Sequence, residues 1–210
     1  MNISERTLSV ISVALMSVSL AVSALTLDVM WALISAVGLV ALAVPKLAKG
    51  EWLFYHRSLL VISLIPYLVY LVLFAVNVFT EIEISRYFFL SVQPLASMIC
   101  AYMLFASLSA NSDTTLSKRW IFVFSIAFTC AFAVLYLFVL FFAMKEMGFP
   151  LYNPDFEGPG ALDNTESNHY IMLPINLAVV FSFVYGILID KSLKKVDAKD
   201  LTRYYGGKEQ

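Results

Sequence analysis

Hydrophobic residues in this chain are gathered into six long runs that are separated by shorter polar segments. A hydrocarbon core of about 30 Å is crossed by about 20 helical residues at ~1.5 Å rise, and the runs are of this order. No permanently charged side chain interrupts any of them, which suits helices whose backbone hydrogen bonds close internally. We therefore predict six transmembrane helices, at residues 7–24, 29–44, 58–79, 87–108, 120–144 and 170–189.

The composition supports a membrane location. Of the 210 residues, 60% are hydrophobic and only 14% are charged, which is too little polar surface to coat a soluble globule. The expected fold is all-α and polytopic, with one domain over residues 1–190, an outer loop at 145–169 and a cytoplasmic tail at 191–210. The first run resembles a cleavable signal peptide, but the short turn to the second run favours a retained helix.

Basic residues are distributed unequally between the two sides of the predicted bundle. Every Lys and Arg except Arg86 and Lys145 falls on the side that carries both termini. The positive-inside bias therefore predicts that both termini lie in the cytoplasm. Membrane lipids are the expected partners, with anionic head groups against the basic face, and no nucleic acid is expected.

The first two runs carry small residues at helical spacing. In the first, serines share one face at Ser9, Ser12, Ser19 and Ser23. The second offers small side chains at Ala32, Ser35, Ala36 and Gly38. Small residues let helix backbones approach closely in lipid, so we predict a packed antiparallel hairpin. A ligand-lining role for the serines is the alternative.

The fourth run carries polar residues along one helical stripe: Gln93, Ser97, Cys100 and Ser107. Ser97, Cys100 and Ser107 are interpreted as packing positions. Gln93 stands beside Pro94 and is the informative position, because its amide needs a partner within the membrane.

Five polar side chains from runs three to six fall at similar depth in the predicted outer half of the bilayer: Asn77, Gln93, Tyr136, His169 and Asn176. If their helices are neighbours, these groups form a polar pocket that opens outward beneath the acidic loop. The alternative is that the amides only hydrogen-bond adjacent helices, as Asn and Gln often do in membrane spans.

Residues for chemistry are scarce in this sequence. The spans hold no carboxylate pair, no metal-ligand cluster and no nucleophile motif, so we expect no catalytic residue, no cofactor and no resident metal. Weak metal candidates lie outside the spans, at Asp163, Glu166 and His169, without the spacing of an EF-hand. An enzyme is therefore the least expected class.

Four features together define a layout: the first hairpin, Val44-Pro45 before a short link, the aromatic entry to the fourth helix, and Asp163-Asn164-Thr165 before the sixth. This layout resembles the YjdF-like family of small six-helix prokaryotic membrane proteins of unknown function. The resemblance implies a location in a prokaryotic plasma (inner) membrane. The family tends to carry ionisable residues in its fourth and fifth helices. The comparable positions here are neutral, at Phe89, Gln93, Leu137 and Leu140. The resemblance implies the same helix arrangement without the ionisable core, so metal or acid–base chemistry is not carried over.

Two functions fit these observations. The first is a binding or transport component for a small solute or a lipid, with an outward-facing pocket. The alternative is a non-catalytic structural or accessory subunit of a membrane complex, which the missing chemistry and the serine seam favour.

Overall fold

A computed structural model describes residues 4–26, 28–49, 53–80, 86–111, 116–147 and 164–204. Within these ranges the chain forms six α-helices, one short 3-10 helix (Ala198–Asp200) and two short strands. The helices are α1 (Glu5–Leu25), α2 (Val29–Lys49), α3 (Arg57–Thr80), α4 (Arg86–Asn111), α5 (Lys118–Met147) and α6 (Asn164–Ser192). The strands are β1 (Leu53–Tyr55) and β2 (Thr202–Tyr204). The predicted all-helical fold is confirmed, apart from this one strand pair.

Several helices extend beyond the predicted ends. Pro45 was expected to end α2, yet the helix continues to Lys49. Pro66 and Pro94 also lie inside their helices, α3 and α4. The predicted outer loop is shorter than 145–169, since α5 reaches Met147 and α6 begins at Asn164. Residues 148–163 lie outside the described part.

Four helices in the described part are long and apolar enough to cross a membrane. These segments are Glu5–Leu25, Arg57–Thr80, Ser91–Ala110 and Lys118–Leu135. Helix α2 adds a shorter apolar stretch, Val29–Ala43. Crossing by all six helices, and the side that each terminus faces, stay predictions.

Helix α4 is the centre of the bundle. It packs against α2, α3, α5 and α6, whereas α1 packs against α2 and α3. In α4, 67% of the apolar segment is buried, compared with 28% in α1 and α5 and 33% in α3. The outer helices instead expose apolar side chains such as Val72 and Leu135, as lipid contact requires. The fold therefore consists of two groups, α1–α2–α3 and α5–α6, that share α4.

One end of the bundle is closed by the β1–β2 pair, and we name it the capped end. The antiparallel register places Phe54 opposite Arg203. The Tyr55 hydroxyl donates to the carbonyl of Ala41 in α2, and the backbone N–H of His56 donates to the carbonyl of Leu201 at 2.8 Å. The C-terminal segment, which the sequence suggested only as a tail, is thus part of the packed structure.

The α4–α5 link joins the same end. Lys118 donates to the carbonyl of Leu193 and lies 3.9 Å from the Asp190 carboxylate. The segments predicted to be cytoplasmic therefore meet at one end of the bundle. This grouping agrees with the charge asymmetry of the sequence.

We expect Leu201→Ala to destabilise the protein through the capped end. Leu201 is fully buried, so losing its side chain costs about 2–5 kcal/mol in transfer and cavity terms. Leu188→Ala is the matched control, because Leu188 is 52% exposed on α6. Thermal unfolding in one detergent should show a clearly larger fall in Tm for Leu201→Ala; equal shifts would mean that the tail does not pack.

Candidate functional site

The structure describes the side chains of two of the five predicted pocket residues. Gln93 is half-buried on α4, and Asn176 is exposed on α6. Asn77, Tyr136 and His169 belong to α3, α5 and α6, respectively. The structure describes their backbone but not their side chains. Helix α4, which carries Gln93, packs against α3, α5 and α6, which carry the other four residues.

Helical register divides α4 into two faces. Cys100 lies against α2 and α3, since its Sγ is near Gly38 and its thiol contacts the Tyr67 hydroxyl. Met98 lies on the other face, near Gly186 of α6 and Thr129 of α5. Gln93 is seven residues before Cys100 and therefore shares its face. The polar stripe of α4 is thus directed toward the α1–α2–α3 group.

Asn176 belongs to a different part of the bundle. The buried stripe of α6 runs through Ala178, Ser182 and Ile189, with Gly186 close to α4 and α5. Asn176 is off this stripe and exposed. Since Gln93 faces α2 and α3, the helix register separates the two amides that the sequence placed at one depth.

The weak metal candidates are only partly described. Glu166 and His169 lie in the first two turns of α6, and Asp163 is outside the described residues. Within the described part, no group of three or more His, Cys, Asp and Glu side chains could hold a metal ion. The two cysteines are free thiols, Cys100 buried and Cys130 half-buried.

The polar face of α4 meets three other helices at Gly38. A Cβ placed on Gly38 would lie 2.9 Å from Met16 Sδ and 3.0 Å from both Cys100 Sγ and Tyr67 Oη. Side chains from α1, α3 and α4 therefore occupy the space that any larger residue on α2 would need. The Tyr67 hydroxyl and the Cys100 thiol are 2.9 Å apart and satisfy each other as hydrogen-bond partners.

An aromatic cluster lies between Gly38 and the end of the bundle opposite the cap. Trp31 stacks on Tyr70 with ring centroids 4.2 Å apart and meets Tyr67 edge-on at 6.2 Å. Trp31 is fully buried. Such pairs add about 0.5–1.5 kcal/mol beyond the area that they bury. Trp31 was not a predicted site residue, and only its position one turn after Asp28 could have suggested it.

Asp28 caps the first turn of α2 at this end. Its carboxylate accepts a hydrogen bond from the Trp31 backbone N–H at 3.2 Å, in the manner of an N-cap residue. The phenol of Tyr70 bonds the Thr26 side chain close to the same carboxylate. Burial raises the pKa of Asp28 above its usual value of 3.8, and the Trp31 hydrogen bond acts in the opposite direction but is the smaller effect.

Asp28, Trp31 and Gln93 are brought to one end of the bundle. Helices α2 and α4 run in the same direction, because both end at the cap, and they touch at Gly38 and Cys100. Trp31 and Gln93 each precede this contact by seven residues, or roughly 10 Å of helix. They therefore lie at the same level, with Asp28 about one turn farther out. This end can offer a carboxylate, an amide and aromatic edges to a polar group.

These features define a helical protein with several apolar helices, compatible with a multi-pass membrane location. Comparison of the chain with family models, with curated proteins and with solved structures found no match. The resemblance to the YjdF-like family stays a prediction, and function has to be argued from the residues themselves.

We expect Asp28→Asn to change how stability depends on pH. Because the folded-state pKa is raised, protonated Asp28 favours the folded protein, and this contribution is lost as the pH rises from about 3.8 through the raised value. Asn keeps the capping oxygen and removes the charge. The difference in Tm between Asp28→Asn and wild type should therefore grow in favour of the variant over this window.

Asp28→Ala separates the charge from the cap. It loses the capping oxygen, which costs about 1 kcal/mol, so at neutral pH it should unfold at a lower temperature than Asp28→Asn. Parallel Tm profiles for wild type and Asp28→Asn across the pH range would contradict the assignment of a raised pKa.

Proposed function

We propose that this protein is a multi-pass membrane protein that binds a small polar solute or a lipid head group at the end opposite the cap, around Gln93. The observation that supports this most strongly is the half-buried amide on the polar face of α4, level with Trp31 and about one turn inward of Asp28. An amide in an apolar helix needs hydrogen-bond partners, since burying it unpaired is costly.

The absence of charge in the described spans limits the ligand class. Asp28 lies just beyond the spans, and its raised pKa shows that its surroundings disfavour the ionised carboxylate. A neutral polar group, or one that donates hydrogen bonds to Asp28 and Gln93, fits this end better than an anion. An outward orientation, which follows from the charge distribution of the sequence, is part of the proposal.

Gln93→Ala tests this proposal against a matched amide, Asn176→Ala. Each protein is purified from its native membrane and examined by native mass spectrometry for retained small molecules or lipids. Losing one neutral hydrogen bond of ~0.5–1.5 kcal/mol should reduce retention about two- to tenfold in Gln93→Ala. Asn176→Ala should retain the wild-type amount.

The same samples distinguish binding from helix–helix bonding. If Gln93→Ala lowers the Tm and leaves retention unchanged, Gln93 only joins helices and the binding proposal fails. The retained mass also separates a lipid head group from a free solute, because a phospholipid is far heavier.

A structural or accessory subunit is the second candidate. Its support is Asn176, which is exposed on α6 beside apolar side chains that are also exposed, among them Val180 and Phe183. A transmembrane helix of another protein could supply the hydrogen-bond partner that lipid cannot give the Asn176 amide. A stoichiometric protein that copurifies with wild type and is lost in Asn176→Ala would favour this function.

A further inference from the structure

Three helices present a buried serine one turn away from the contact at Gly38. Ser19 follows Met16 by three residues, Ser35 precedes Gly38 by three, and Ser97 precedes Cys100 by three. The steps all lead away from the capped end, because α1 runs opposite to α2 and α4. Since Met16, Gly38 and Cys100 touch, a shift of roughly 4.5 Å along each helix brings the serines to one level.

Two of these hydroxyls have no partner in the described part of the chain. The Oγ atoms of Ser19 and Ser35 are buried and accept or donate no hydrogen bond there. Other buried hydroxyls bond back to a carbonyl of their own helix, as Ser63, Ser125, Thr129 and Ser182 do. Ser9 and Ser12 of α1 also have no partner among the described residues. Ser19 and Ser35 differ from these two in lying one turn from the contact at Gly38, at one level on two neighbouring helices.

The indole of Trp31, one turn farther out on α2 than Ser35, adds a third unpartnered group. Its Nε1 is buried and has no acceptor among the described residues. The ring contacts both Tyr67 and Tyr70, which stand one turn apart on α3, and it borders the serine layer on the side away from the cap. Buried polar atoms are almost always hydrogen-bonded, by protein or by ordered water.

The chemistry of these groups selects their partner. The indole N–H can only donate, whereas the hydroxyls can donate or accept, so one molecule has to do both. Buried water typically makes about three hydrogen bonds to such groups. Met16, Tyr67 and Cys100 lie on the capped side of the layer, and the Trp31–Tyr70 stack lies on the other side. Water is the smallest molecule that can both donate and accept hydrogen bonds, so it suits a layer enclosed by these side chains.

We propose that Ser19, Ser35 and Ser97, together with Trp31 Nε1, enclose a buried water site between α1, α2 and α4. The water joins helices that would otherwise bury unmade hydrogen bonds. The site lies inward of Gln93 and is independent of ligand binding there.

Serine-to-alanine substitutions test the site by whether they lower or raise the Tm. If a water bonds Ser19 and Ser35, Ser19→Ala and Ser35→Ala each remove one of its partners and should lower the Tm by about 2–4 °C. Ser63→Ala is the control, since that hydroxyl bonds only the Leu60 carbonyl. If both variants are as stable as Ser63→Ala, or more stable than wild type, no water is bonded to these hydroxyls and the proposal fails.

Trp31 fluorescence provides a second readout that does not depend on stability. In a Trp52→Phe/Trp120→Phe background, Trp31 is the only tryptophan. Removing a water partner with Ser35→Ala should move its emission maximum to shorter wavelength, whereas Ser63→Ala should not. An emission maximum that Ser35→Ala leaves in place would overturn the water site. Neither readout involves molecules retained at Gln93, so failure here leaves the proposed function standing.

Discussion

The close approach of four helices at Gly38 is the constraint on which the rest of the bundle depends. Without a Cβ on α2, side chains from α1, α3 and α4 meet in one place, and a methyl group would lie 2.9–3.0 Å from three of their atoms. In lipid there is no hydrophobic driving force between helices, so association depends on such close packing and on interhelical hydrogen bonds. Gly38 gives up helix propensity of about 1 kcal/mol relative to Ala, and the contact that it permits offsets this cost.

This contact explains why the most polar span is also the most buried. Helix α4 carries Gln93, Ser97 and Cys100 on one face, and the contact at Gly38 directs that face into the α1–α2–α3 group rather than toward lipid. Its opposite face packs through Met98 and Phe105 against α5 and α6. Gln93, Ser97 and Cys100 therefore lie on the face of α4 that adjoins the Tyr67–Cys100 pair and the serine layer, and Asp28 lies beyond them at the end of the bundle.

Much of this could be predicted from the sequence, because it depends on local patterns. Apolar run length located the helices, and the three-and-four spacing predicted a packing face of serines on the first helix. Of these, Ser12, Ser19 and Ser23 are buried in the structure and Ser9 is half-buried. The assignment of Ser97, Cys100 and Ser107 to packing is likewise confirmed by their burial. Depth along a helix could also be estimated, since it needs only the rise per residue.

The sequence could not predict how each helix is rotated about its axis or which distant segments pair. Depth places Gln93 and Asn176 together, but only packing shows that Gln93 faces α2 and α3 while Asn176 is exposed. The pairing of β1 with β2 joins segments far apart in the chain, and three residues per strand leave too little pattern to detect. The second helix was predicted to end before Pro45, yet α2 continues to Lys49, because a proline disfavours the helix interior without excluding it, above all in membrane helices.

The most direct measurement of the contact at Gly38 is a cross-link between α2 and α4. In a disulfide with an S–S bond of ~2.05 Å, the Cβ of one cysteine lies about 3 Å from the sulfur of the other. The Cβ position of Gly38 is 3.0 Å from Cys100 Sγ, so Gly38→Cys should form a disulfide with Cys100 on oxidation, detected as peptides linked under non-reducing conditions. The bond should be absent in Gly38→Cys/Cys100→Ala. Free, alkylatable thiols at both 38 and 100, or linkage of residue 38 to Cys130 instead, would contradict the central position and the rotation of α4.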